Sequence, residues 1–247
     1  GFSSLTDQNI TIDSGTATAA QAATLDLETS GTVTATVSDG DMSSLAALTG
    51  TSNANAFTVT ITDASVNAAA LNAVNVTTSV DVNALQVTTL TGSARDISAA
   101  YTASNATSIT GLGNETVTIT GNTAATIAQL KNINTETTGV ITLNSATNAA
   151  TYSDTIVNLL AAFAGTTSHT GNITVSGTAP TVTQANTLDT ITAGAITATF
   201  TDTPANLATL TGTGNAYAVT MTEGFTATLA ELVSINNATT GVITLNS

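Results

Sequence analysis

Valine and isoleucine alternate with threonine in short runs all along this chain, with the two-residue period of a pleated strand. Phe57, Val59 and Ile61 alternate with Thr58, Thr60 and Thr62, and Val117 and Ile119 alternate with Thr116, Thr118 and Thr120. Branched side chains on both faces suit strands, so the apolar set is expected to point inward and the threonines outward. Further runs are Ile10–Ile12, Thr32–Val37, Val80–Val82, Asp96–Ala100, Val140–Leu143, Ile173–Val175, Ile196–Phe200, Tyr217–Thr222 and Gly241–Leu245. Between them lie Ala/Leu segments such as Ser65–Val74, Ala124–Ile133 and Thr226–Ile235. Their apolar positions, as in Ile127, Leu130 and Ile133, have a spacing that predicts about one to two helical turns. Asp63 and Thr123 stand where such turns want an N-cap.

The runs recur roughly every 22 to 25 residues, a spacing within the range of stacked coils. Thr-Thr-Gly-Val-Ile-Thr-Leu-Asn-Ser occurs twice without change, at Thr137–Ser145 and Thr239–Ser247. A looser family reads Leu48-Thr-Gly-Thr-Ser-Asn53, Leu90-Thr-Gly92, Ile109–Asn114 and Leu210–Asn215. The pattern predicts a mainly β fold: a right-handed parallel β-solenoid of about eleven coils, with short helical segments on one side. Residues 1–247 form a single elongated domain on this reading, with a loop insertion near 146–154. Short regular strands also permit a β-sandwich; the Ala/Leu segments between strands decide for the solenoid.

Charge narrows the partners. The chain has 2 Lys+Arg against 16 Asp+Glu, a net charge of -14. Lys131 and Arg95 are its only cationic side chains besides a single histidine, too few to neutralise a phosphate backbone. Nucleic acid and anionic lipid are excluded as partners, and no apolar stretch is long enough to span a membrane. A hydrophobic fraction of 42% is sufficient for a narrow core. The chain starts with Gly1-Phe2 and lacks the long apolar helix of a type IV pilin, so it reads as a mature or excised segment.

Candidate chemistry is sparse. His169 is the only imidazole and lies in the polar run Thr166–Thr170, where it is expected as a solvated loop residue. A hydrolytic triad needs a base beside its nucleophile, and neither that nor a phosphate-binding loop is recognisable, so no catalytic residue is expected. Asp39-Gly-Asp41, with Asp63 and Asp202 at other strand ends, offers hard oxygen ligands for Ca²⁺. The same residues also suit helix caps and Asx turns. Thr-x-Thr pairs such as Thr58/Thr60 and Thr116/Thr118 suggest an outward ladder of the ice-binding kind, interrupted at Val80–Val82 and Ile141–Leu143. Six Asn-x-Thr sequences occur, at Asn9, Asn75, Asn105, Asn114, Asn172 and Asn237.

The run Leu207–Tyr217, followed by Val219-Thr-Met-Thr222 and Leu229–Gly241, resembles the repeats of bacterial β-strand repeat surface proteins, of S-layer and giant adhesin type. That resemblance implies an extracellular, structural or adhesive role and carries no catalytic residue with it. A strand motif left open at Gly241, Val242, Ile243, Thr244 and Leu245 predicts head-to-tail assembly with Ile10, Thr11 and Ile12 of another copy. The expected partners are therefore copies of the chain itself, with a cell-surface glycan as a further candidate. An adhesin stalk or ice-binding face is the alternative.

Overall fold

The computed structural model describes residues 7–48, 55–167 and 169–246. Gly1, Phe2, Thr49–Asn53 of the Leu-Thr-Gly family and Ser247 of the second nonamer lie outside them. The described residues form a mixed α/β fold, not a mainly β one: 36% is helical and 23% strand, in ten helices and four small sheets of 2–5 strands. The expected solenoid of about eleven coils is absent. The Ala/Leu/Asn segments carry good helix formers behind side-chain caps, and they form complete helices instead of turns on one side of a rod. The chain divides into two compact units, Gly1–Gly121 with Glu136–Val140, and Asn122–Thr135 with Ile141–Ser247.

The first unit runs β1 (Ile10–Thr11), α1 (Ala19–Glu28), β2 (Val33–Thr36), α2 (Met42–Leu45), a 3-10 turn (Ala46–Leu48) and β3 (Ala56–Thr58). It continues with β4 (Ser65–Asn67), α3 (Ala68–Asn75), β5 (Val82–Asn83), β6 (Thr89–Gly92), α4 (Ala94–Asn105), β7 (Ile109–Thr110) and β8 (Thr116–Ile119). β1, β2 and β3 pair in parallel, as do β4, β6 and β8, and β5 with β7. Helices connect these parallel neighbours, as a parallel pairing requires. Asp96–Ala100, expected as a strand, lies inside α4. Ser93 accepts the Asp96 N–H as its cap, and Ile97, Ala100 and Tyr101 fall on one helical face and are buried.

The second unit holds α5 (Ile127–Glu136), β9 (Ile141–Thr142), α6 (Ser145–Ala149), β10 (Tyr152–Asp154), α7 (Ile156–Phe163) and β11 (Ile173–Val175). Then come α8 (Val182–Ile191), β12 (Ile196–Asp202), α9 (Pro204–Leu207), β13 (Ala216–Met221), α10 (Leu229–Ala238) and β14 (Ile243–Thr244). β10 to β14 make one parallel sheet in chain order. Segment 146–154 holds most of α6 and all of β10.

Alternation works as expected within strands. Ile196, Ala198 and Phe200 of β12 are buried, and so are Tyr217, Val219 and Met221 of β13. Phe200 and Tyr217 meet edge to face with ring centroids 5.1 Å apart, a favoured aromatic geometry. The helices add Leu130 and Ile133 from α5, Leu159 and Phe163 from α7, and Ala185 and Leu188 from α8. Threonine ladders form only in part. Thr89 and Thr91 face Thr116 and Thr118, but Thr34 faces Ala56, and Thr197 and Thr199 face Ala216 and Ala218.

Candidate functional site

The repeated nonamer opens on the most regular device in the molecule. Where a helix hands over to a strand, a Thr-x-Gly step fastens the chain to the strand–helix unit before it. Thr137 donates its hydroxyl to the Glu115 carbonyl at 2.6 Å and accepts the Gly139 N–H at 3.0 Å. Thr239 donates to the Tyr217 carbonyl at 2.8 Å, accepts the Tyr217 N–H at 2.9 Å and accepts the Gly241 N–H at 2.9 Å. Thr29 and Thr192 do the same, with Gly31 and Gly194 as their N–H donors. The glycine is a matter of space. A Cβ at Gly139 would fall on the Glu115 carbonyl oxygen, and one at Gly241 on that of Tyr217.

His169 occupies the threonine position of one such step, His169-Thr170-Gly171. Contrary to the expected solvated loop, it is fully buried. Its ring is tilted against Phe163 at 4.8 Å and Tyr152 at 5.4 Å between centroids. Nε2 lies 3.0 Å from the Ala150 carbonyl and Nδ1 lies 3.2 Å from the Thr192 hydroxyl. A carbonyl only accepts, so Nε2 carries a proton. Burial holds the pKa below the usual 6.5, against the opposing effect of the Ala150 carbonyl. Both ring nitrogens are occupied by structural bonds, which leaves none to act as a base.

The Asp candidates are likewise engaged, each by a backbone N–H at or near a helix start. Asp39 accepts the Ala19 N–H at 2.7 Å and Asp63 the Met42 N–H at 2.7 Å, each reaching back to the helix start of the preceding unit. Asp63 therefore does not cap the helix that follows it; Asn67 does, accepting the Ala69 and Ala70 N–H groups. Thr126, with Gln129, takes the role expected of Thr123. The Ser43 hydroxyl and the Ser44 N–H bind the Asp41 carboxylate and lower its pKa to about 2. Asp202 belongs to the second unit, where it accepts the Thr203 N–H at 2.7 Å and Asn206 Nδ2 at 3.1 Å. Among the described residues, no three His, Cys, Asp or Glu side chains converge on a point that would hold a metal.

Buried polar pairs complete the fastening, and sequence reasoning missed them. Asn55 donates Nδ2 to Asp26 and accepts the Val33 N–H; Asn215 donates to Asp189 and accepts the Ile196 N–H. Glu115 holds the equivalent place before β8, accepting the Gly113 N–H at 2.8 Å and the Tyr101 hydroxyl at 3.0 Å. The legible signal was position, since each of these residues directly precedes a strand.

The assembly candidates divide into two groups. The Gly241 N–H is tied to the Thr239 hydroxyl. Ile243 and Thr244 pair with Val219 and Thr220 through one edge of β14, while Val242 and Leu245 are 71% and 60% exposed. Leu229 and Val233 of α10 are also exposed, and a groove of about 350 Å³ runs between Leu232, Val233, Asn236, Ile243 and Leu245. In the other unit, Ile10 and Thr11 pair with Val33 and Thr34. Ile12 lines a groove of about 550 Å³ with Ala17, Ala20 and Leu25.

No protein-family model, curated protein or solved structure matches this chain. The expected placement among β-solenoid repeat proteins is overturned by the mixed α/β fold, and S-layer or adhesin membership has no family match behind it.

Proposed function

We propose that this chain is a structural, non-catalytic extracellular protein that assembles with copies of itself by joining the β14/α10 face to the β1/α1 face of the next copy. The observation that carries this reading is the exposed apolar set Leu229, Val233, Val242 and Leu245 beside an edge strand. An apolar strand edge is a template for pairing, and contiguous exposed apolar surface marks interaction sites. Joining two different faces is a heterologous contact, which propagates into an open polymer. The groove at Ile12, Ala17, Ala20 and Leu25 is the receiving surface in this reading. The buried, doubly bonded His169 and the engaged carboxylates support a role without catalysis, and the threonine-rich, acidic and lysine-poor composition supports an extracellular setting.

Light scattering across a concentration series, followed by negative-stain electron microscopy, tests this. The wild-type chain is expected to form polymers above a threshold concentration, and Leu245→Asp, at an exposed position, to keep the fold while losing them. A wild-type chain that stays monomeric throughout would overturn the reading.

A further inference from the structure

The six Asn-x-Thr sequences all fall on described residues, and each matches the acceptor pattern for N-linked glycosylation. Such an acceptor must offer its amide nitrogen and its threonine hydroxyl to an enzyme at the same time. In three of the six, this fold uses one or both, and in two more it holds the sequence in a paired strand. Asn9 and Asn172 are held through the amide oxygen, which accepts the Thr32 and Ala195 N–H, and their Thr11 and Thr174 lie in the paired strands β1 and β11. Asn75 donates to Ser108, and its Thr77 is buried with the hydroxyl bonded to Val74. Asn114 is exposed, but Glu115 beside it is fully buried and Thr116 is bonded within its sheet. Asn237 is exposed, but its Thr239 is the buried step that fastens β14.

Asn105-Ala106-Thr107 differs from all of these. The three residues are exposed at the end of α4. The Asn105 amide and the Thr107 hydroxyl make no side-chain hydrogen bond there. The backbone N–H groups of Ala106 and Thr107 are tied to Thr102 and Ser104. Thr107 has a φ of 62°, an uncommon conformation for a branched residue, so opening this last turn relieves strain. Helix ends are also where the chain frays most readily.

Resting on the extracellular setting proposed above, we infer that Asn105 is the glycosylation site of this protein. In the transfer, Asn105 Nδ2 forms a bond to the anomeric carbon of a lipid-linked diphospho-oligosaccharide. The bond from that carbon to the diphosphate oxygen breaks, the lipid diphosphate leaves with the electron pair, and the Nδ2 proton passes to a base of the transferase.

The test uses the purified, folded chain with a single-subunit oligosaccharyltransferase that has no requirement upstream of the asparagine. The enzyme is first shown to be active on a synthetic peptide spanning Asn105–Thr107. Intact mass and glycopeptide mapping are expected to find one glycan, on Asn105. Asn105→Gln abolishes the mass increase, and Thr107→Ser retains it. An unmodified folded chain, or a glycan on any other asparagine, would overturn the assignment. Location plays no part in this reaction, so its outcome is separable from that of the assembly measurement.

Discussion

Gly139 and Gly241 show how little room the fastening step leaves. A methyl group at either must displace a backbone carbonyl, and overpacking of this kind costs about 1–3 kcal/mol. Gly139→Ala is therefore expected to lower the urea midpoint clearly, whereas Gly121→Ala, with open space around its Cβ position, suffers only from its positive φ. Thr239→Val keeps the volume but removes the hydroxyl and strips Tyr217 of partners at its N–H and carbonyl. Leaving buried groups unpaired costs roughly 1–3 kcal/mol each, so its midpoint also falls. His169 adds a dependence on pH. Its folded-state pKa lies below the unfolded 6.5, so the unfolded chain binds the proton more readily. The stability it supports is complete above that value and drains away as pH falls from there towards the folded pKa. Urea midpoints measured between neutral pH and the onset of carboxylate titration will fall for the wild type. They will stay flat for His169→Thr, which restores the side chain used at the other steps.

At the level of elements, capping decides where helices start. Thr18/Gln21, Thr181/Gln184 and Thr228/Glu231 are capping boxes, so each helix start satisfies two of its own orphan donors. Thr181→Ala is expected to cost about 1 kcal/mol, visible as a lower midpoint with an unchanged denaturant slope. These boxes stand in the sequence at the required spacing, and they could have announced full helices where only turns were expected. Strands with a clear Thr/Val alternation, such as β8 and β13, were legible because the period survives over several residues. β4, β6, β7 and β10 were not: β6 and β7 lie in the Leu/Ile-Thr-Gly family, and β4 and β10 hold a single apolar residue each, so no alternation shows. Asp96–Ala100 misled because its short apolar spacing suits either period; Ser93 as cap and the burial of Tyr101 a turn later settle it as helix. The reach of Asp39 and Asp63 back to an earlier helix was invisible, since it depends on stacking and not on local order. Chelator is expected to leave the melting temperature unchanged, because these carboxylates are already bound to N–H groups.

For the whole molecule, charge opposes the proposed self-association. A formal charge of -14 makes copies repel at low ionic strength, and salt screens that repulsion over distances of about 10 Å. The threshold for polymer formation should fall as salt rises towards physiological levels. An apolar joint predicts this direction; a joint made of ion pairs would show the opposite. The scarcity of Lys and Arg among 247 residues argues for the first case.

The Thr-x-Gly step also bears on how such a chain changes over generations. Four of the helix-to-strand joints carry their own attachment to the strand before them, written in a threonine and a glycine two places on. A gene segment encoding one strand, one helix and such a step arrives with its connector included, so its duplication brings a joint of its own. Selection need guard only those few positions, and the outward-facing residues between them are free to drift. Two nonamers that remain letter-perfect while their surroundings diverge are the trace expected from that history.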